Sequence, residues 1–158
     1  MNVEMFFIQT NAAPEVSDLI RQRINSQPDP ANHQPDWGLP SSYDVVLAKE
    51  PKRKVALSPS LGGWIASIES KEVIDFALLQ RLAEALKTKV VAVQLSEVSG
   101  YCGYAVCSSG TVTERHFSEE DDDPGGTISE FLRRNRVRSG LISFREAVQM
   151  RDQGWVIL

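Results

Sequence analysis

Histidine and cysteine are nearly missing from this sequence of 158 residues, which holds two of each. His33 and His116 have no cysteine or histidine partner at metal-ligand spacing, so the zinc-site signatures are excluded. Cys102 and Cys107 are not spaced as a Cys-x-x-Cys redox or zinc motif. On one extended strand their odd offset puts them on opposite faces, a poor geometry for a disulfide, and they read as two small buried thiols. Also missing are the Gly-x-Ser-x-Gly elbow, the glycine-lysine phosphate loop and Gly-x-Gly-x-x-Gly. An enzyme would have to assemble its site from scattered residues. No apolar run approaches the length of a bilayer span, so no membrane partner is expected. Met1–Thr10 lacks a basic n-region and its apolar run is too short for a signal peptide. It reads as a strand, and the expected location is the cytoplasm. Positive charge is not in excess either. Lys and Arg number 17 against 21 Asp and Glu, a formal net charge of -4, which argues against general nucleic-acid binding.

What is present describes a folded object well. The length suits one domain over residues 1–158 and is enough to bury about two-thirds of the unfolded surface. Hydrophobic residues at 42% and charged residues at 24% are ordinary for a globular protein. Val3–Gln9 alternates as a strand. Asn11 and Pro14 then announce a helix whose apolar face is Val16, Leu19, Ile20 and Ile24. Residues 27–40 form a loop holding half of the eight prolines. Tyr43–Lys49, Lys54–Ser58 and the strand from Trp64 read as a meander with turns at Glu50–Arg53 and Leu61–Gly63. Ser70 is the expected cap of a strongly apolar helix through Ile74, Leu78, Leu82 and Leu86. Lys89–Val98, Tyr101–Ser108 and Thr111–Phe117 follow as a second antiparallel meander. Two capping-box patterns, Thr127–Glu130 and Ser143–Glu146, open the last helices, and Trp155–Leu158 reads as a terminal strand or core plug. The expected fold class is α+β. It is a single domain with a mostly antiparallel meander sheet, a central amphipathic helix packed on it, and short helices at the N- and C-terminal ends.

Chemistry concentrates outside that scaffold. The acidic loop, residues 118–126, carries Glu119, Glu120, Asp121, Asp122 and Asp123. As a calcium loop it would take Glu119, Asp121, Asp123 and Glu130 as ligands, but Pro124 stands where the sharp turn needs glycine. It reads better as a solvated acidic loop or an acidic contact surface. Arg133, Arg134, Arg136 and Arg138 are suited to forked contacts with phosphate or carboxylate, or else they neutralise the acidic loop or lie on a solvated helix face. Trp37, in the proline-rich loop, is either a plug on the core or an exposed contact. His116 shares a strand face with Glu114 while Arg115 points the other way. It is an imaginable general base and by default a half-exposed strand histidine.

The rhythm of Trp64–Ile68, of the helix around Leu78–Leu86 and of Tyr101–Thr111 resembles small bacterial α+β proteins of the polymorphic-toxin immunity type. The resemblance covers about a third of the chain and carries no functional residue across. It implies a stoichiometric, non-enzymatic binder of a partner protein, with no cofactor. On that reading Trp37, Glu119–Asp123, Arg133 and Arg134 are the partner-binding candidates. No residue is assigned a catalytic or metal-ligating role. Two other readings stand beside it. One is a small enzyme or ligand-binding domain with a pocket near the Trp64 strand and the Tyr101–Tyr104 hairpin. The other is a structural module that self-associates through a sheet edge.

Overall fold

The computed structural model describes residues 2–26, 53–70 and 74–158. Trp37, His33, the expected Tyr43–Lys49 strand and its turn lie outside the described residues. Among the described residues seven strands form one sheet: β1 (Asn2–Gln9), β2 (Val55–Leu57), β3 (Trp64–Glu69), β4 (Lys89–Ser96), β5 (Tyr101–Ser108), β6 (Thr111–Ser118) and β7 (Val156–Ile157). Their order across the sheet is β6-β5-β4-β1-β3-β2-β7. Each neighbouring pair is antiparallel. β3 and β4 both run opposite to β1 and are therefore parallel to each other, with β1 between them. The helix that joins them makes the crossover such a pair needs.

Alternation along the strands sorts the core into two layers. Met5, Phe7, Ala66, Ile68, Val91, Val93, Cys102 and Val106 face one side. There they meet Ile128, Phe131 and Leu132 of α3 (Pro124–Arg134), Ala147 of α4 (Phe144–Gln149) and the Trp155 plug. Phe6, Ile8, Ile65, Val90, Ala92, Ala105 and Cys107 face the other side. α1 (Ala13–Ser26) and α2 (Phe76–Ala85) cover them with Val16, Ile20, Leu78, Leu79, Leu82 and Ala83. The expected α+β architecture is present, with helices on both faces of the sheet. The two cysteines are buried, free and in opposite layers, as their odd offset requires.

Three local expectations shift. Asp75, not Ser70, caps α2: its Oδ1 accepts the Leu78 backbone N–H at 3.0 Å. Ser70 instead takes the Lys54 backbone N–H across the β2–β3 pair at 3.0 Å. α3 begins before the Thr127–Glu130 box, with Asp123 as its cap and Pro124 in its first turn. β4 stops at Ser96 and leaves Glu97 and Val98 in the turn. There the Ser96 hydroxyl oxygen accepts from both the backbone N–H and the hydroxyl of Ser99, at 3.4 and 2.7 Å. The Ser143–Glu146 capping box of α4 forms as expected.

Asp75 does more than cap. Its carboxylate also accepts from Arg23 Nε at 2.8 Å and from Arg53 Nη2 at 2.8 Å. Arg53 in turn grips Glu69 with Nε at 2.8 Å and Nη2 at 2.5 Å. The side chains of Arg53, Asp75 and Glu69 are at most 1% exposed, and that of Arg23 12%. Burial alone would lower the Arg53 guanidinium, but the Glu69 and Asp75 contacts outweigh it and the net shift is upward. Among the described residues, two arginines and two acidic side chains thus meet in one buried site, where burial pushes the Glu69 carboxyl up against the opposing pull of Arg53. Removing one member of such a set leaves its partners buried and uncompensated. Asp75→Ala is expected to cost about 3–5 kcal/mol, whereas Ser70→Ala should stay below about 1 kcal/mol. Urea unfolding of the two variants checks this, and equal losses would contradict the assignment of the cap.

Candidate functional site

The acidic run does not behave as a uniform solvated loop. Asp121 and Asp123 are committed to the fold. Asp121 Oδ1 accepts the Asp123 backbone N–H at 2.8 Å. Its Oδ2 accepts the Thr127 hydroxyl at 2.9 Å and the Cys102 thiol at 3.3 Å. The Asp121 backbone N–H donates to the Gly100 carbonyl at 2.8 Å and pins the run to the β4–β5 turn. Asp123 Oδ1 accepts the Gly126 N–H at 2.9 Å and closes the first turn of α3. A Cβ at Gly126 would lie 2.1 Å from Asp123 Oδ2, so the cap requires glycine there. The remaining members, Glu119, Glu120 and Asp122, are exposed.

These hydrogen bonds set the electrostatics. The Asp123 N–H, then Thr127 and Cys102, hold the Asp121 carboxyl below the ordinary aspartate range. Burial, reinforced by the adjacent Asp121 carboxylate, pushes the Cys102 thiol up to about 12. Because the run is fixed against the neighbouring turn, Glu97 and Val98 join its surface. Glu97 is exposed, with Oε1 3.7 Å from where a Cβ on Gly125 would sit. Val98 is 89% exposed. The exposed Glu97 and Val98 of the turn thus belong to the same end of the molecule as the exposed Glu119, Glu120 and Asp122. Glu97 and Val98 were expected inside the strand, because Val98 is a β-branched residue that follows directly on the β4 run. The signal available was the Ser-Gly pair that follows, which also fits a four-residue turn.

The arginines are elsewhere. α3 starts at the acidic end and is about 16 Å long at 1.5 Å per residue, so its last turn carries Arg133 and Arg134 away from the acidic run. Arg133 forks onto Glu130 at 2.8 and 2.6 Å. That Glu130 is therefore turned to its own helix and away from the acidic loop. Arg134 pairs with Glu114 of β6 and lies 6.0 and 5.6 Å from the Tyr104 and Phe131 ring centres. Arg138 covers the Gly62 turn. Arg133 and Arg134 thus neutralise Glu130 and Glu114 and not the acidic loop. Asp123 caps the start of α3 and Arg133 and Arg134 lie in its last turn, so these partner-binding candidates sit at the two ends of one helix.

Trp64 is 2% exposed, and Tyr104 stacks on Phe131 with ring centres 3.8 Å apart. A shallow open groove of about 350 Å³ lies along Val112, Thr113, Glu114 and Arg115 of β6. His116 and Glu114 do share a face, opposite Tyr104 and Val106, and His116 is exposed beside the Tyr104 ring at 5.1 Å. No helix among the described residues is long and apolar enough to cross a membrane. Among them, no group of three histidine, cysteine, aspartate or glutamate side chains is arranged to hold a metal ion. No protein-family model matches the chain, and no curated protein or solved structure does either.

Two outcomes follow for the acidic run. Asp121→Asn should lower the urea midpoint, whereas Asp122→Asn should leave it unchanged. A carboxyl held low in the folded state stabilises fully above the unfolded value. That contribution fades as pH falls through the lowered value, so the gap between wild type and Asp121→Asn should close below about pH 4. Cys102 should resist Ellman's reagent at pH 8 in the folded protein and react once the chain is unfolded. Rapid native labelling at Cys102 would contradict the thiol–carboxylate contact.

Proposed function

We propose that this chain is a protein-binding module that meets a basic partner with its acidic end, Glu97, Val98, Glu119, Glu120 and Asp122. The observation that carries the reading is the division of labour within the acidic run. Asp121 and Asp123 are spent on holding the backbone, and their neighbours are displayed on a fixed platform. A preorganised cluster of one charge sign loses little entropy on binding. It also steers an oppositely charged partner into register. An apolar residue beside such a cluster supplies the area that a charged rim alone does not. The resemblance to immunity proteins is compatible with this, since a stoichiometric inhibitor needs a surface and not a reaction centre. A cytoplasmic setting, where thiols stay reduced, suits the two free cysteines.

The test is capture from the source cells on immobilised wild type and on the variant Glu120→Gln/Asp122→Asn, at low and high salt. The expected result is a basic protein retained by wild type at low salt, released by high salt, and held at least about tenfold more weakly by the double variant. A partner retained equally by both forms would overturn the assignment of this surface. Tighter binding of an acidic protein would overturn the charge argument.

A further inference from the structure

We propose that the free edge of β6 pairs with β6 of a second copy of this chain, antiparallel about a two-fold axis at Phe117. In this arrangement Arg115 of each copy meets Glu119 of the other, the residue that follows the last position of β6. Among the described residues β6 pairs only with β5, and it is the last strand of the sheet. Its residues are exposed or half-buried throughout, with Val112 36% exposed.

Backbone phase decides which residues offer hydrogen bonds on that edge. The turn Ser109–Gly110 has φ of 50° and 89°, the I′ form, so Ser108 and Thr111 face each other as a hydrogen-bonded pair. From Ser108 back along β5, alternate residues then turn toward β6. Two contacts agree. The Ser109 N–H turns the other way, to the Thr88 carbonyl, and the Val106 carbonyl accepts the Thr113 hydroxyl. Ala105 and Gly103 therefore turn toward β4. Their partners on β6, Arg115 and Phe117, direct N–H and C=O outward, away from β5.

A two-fold axis normal to the sheet keeps the two faces aligned. Only residues on one face can then sit opposite each other, and outward-directed residues must meet outward-directed ones. An axis at Arg115 would set two arginines together. An axis at His116 would set Arg115 against Phe117 and Glu119 against Thr113, leaving both charges without a counter-ion. The axis at Phe117 pairs Arg115 with Glu119 twice. It also joins the two Phe117 rings, each of which is half-buried against Tyr101 at 6.1 Å and opposite Gly103, which has no side chain to cover it. Glu114 would fall near Glu120 of the second copy, but Arg134 already neutralises it.

Charged residues and bulges ordinarily protect an edge from pairing. Here the register shift lies between the Val106 and Cys107 pairs, which leaves Thr113 as the extra residue of β6. That position is beneath the open groove and on the hairpin side of Arg115. The bulge therefore confines pairing to the segment from Arg115 to Glu119 and does not prevent it.

Sedimentation velocity over a concentration series tests this with wild type, Arg115→Glu, Glu119→Arg and the exchange double variant carrying both. Each single change should weaken self-association by about tenfold, because two favourable cross-strand pairs become two repulsive ones. The double variant should recover it. Asp122→Asn, a change in the acidic end outside the paired segment, should leave it unchanged. A monomer at every concentration, or a double variant no better than the singles, would overturn the proposal. Near-ultraviolet circular dichroism confirms that these exposed substitutions leave the fold intact.

Discussion

One buried carboxylate ties together four parts of the chain that lie far apart in sequence. Asp75 receives an arginine from the end of α1 and a second from the entrance to β2, and it caps α2. The second arginine continues to Glu69 at the end of β3. Two helices and two strands are thereby fixed at one point. The attraction is strong because water is excluded, and for the same reason it must be complete. Hydrophobic contact alone would let α1 and α2 slide over the sheet, since burial has no direction. The forked contacts supply direction.

The acidic run beside the β4–β5 turn uses the same economy with weaker groups. Asp121 joins a backbone N–H, a hydroxyl and a thiol from three elements. At both places an acidic residue is a structural joint before it is anything else. A count of charges along the chain cannot separate these joints from displayed charge. The distinction lies in which backbone N–H groups are left without partners at a helix start, and Asp75 and Asp123 answer that need.

Much of the scaffold was legible because its signals are local. The alternation in Trp64–Glu69 and Tyr101–Ser108, the apolar stripe of α2, the Ser143–Glu146 box and the positive φ of Gly154 all depend on residues within a few positions of one another. The charge joint was not legible. Its contacts span 16, 22 and 52 positions. Glu69 simply follows a run of apolar strand residues, and nothing adjacent says what neutralises it. Asp75 could have been found, since it stands just before Phe76-Ala77-Leu78-Leu79 in the manner of a cap, but Ser70 offered the same chemistry a few residues earlier. At the acidic end the composition of the run was plain, while the contacts of Asp121 are to Gly100 of the β4–β5 turn and Cys102 of β5, about 20 positions earlier in the chain.

The place of β1 in the sheet governs how such a chain can assemble. Phe6 lies opposite Ser67 on one side and Ala92 on the other. The strand with both faces buried must therefore wait for two strands far along the chain. Its apolar side chains have no sheet to join while the intervening residues are being made. Folding that depends on pairing so distant in sequence is slow, because loop closure comes before any reward. During synthesis this first strand is the segment most in need of shelter, and its exposure ends only when β4 is complete.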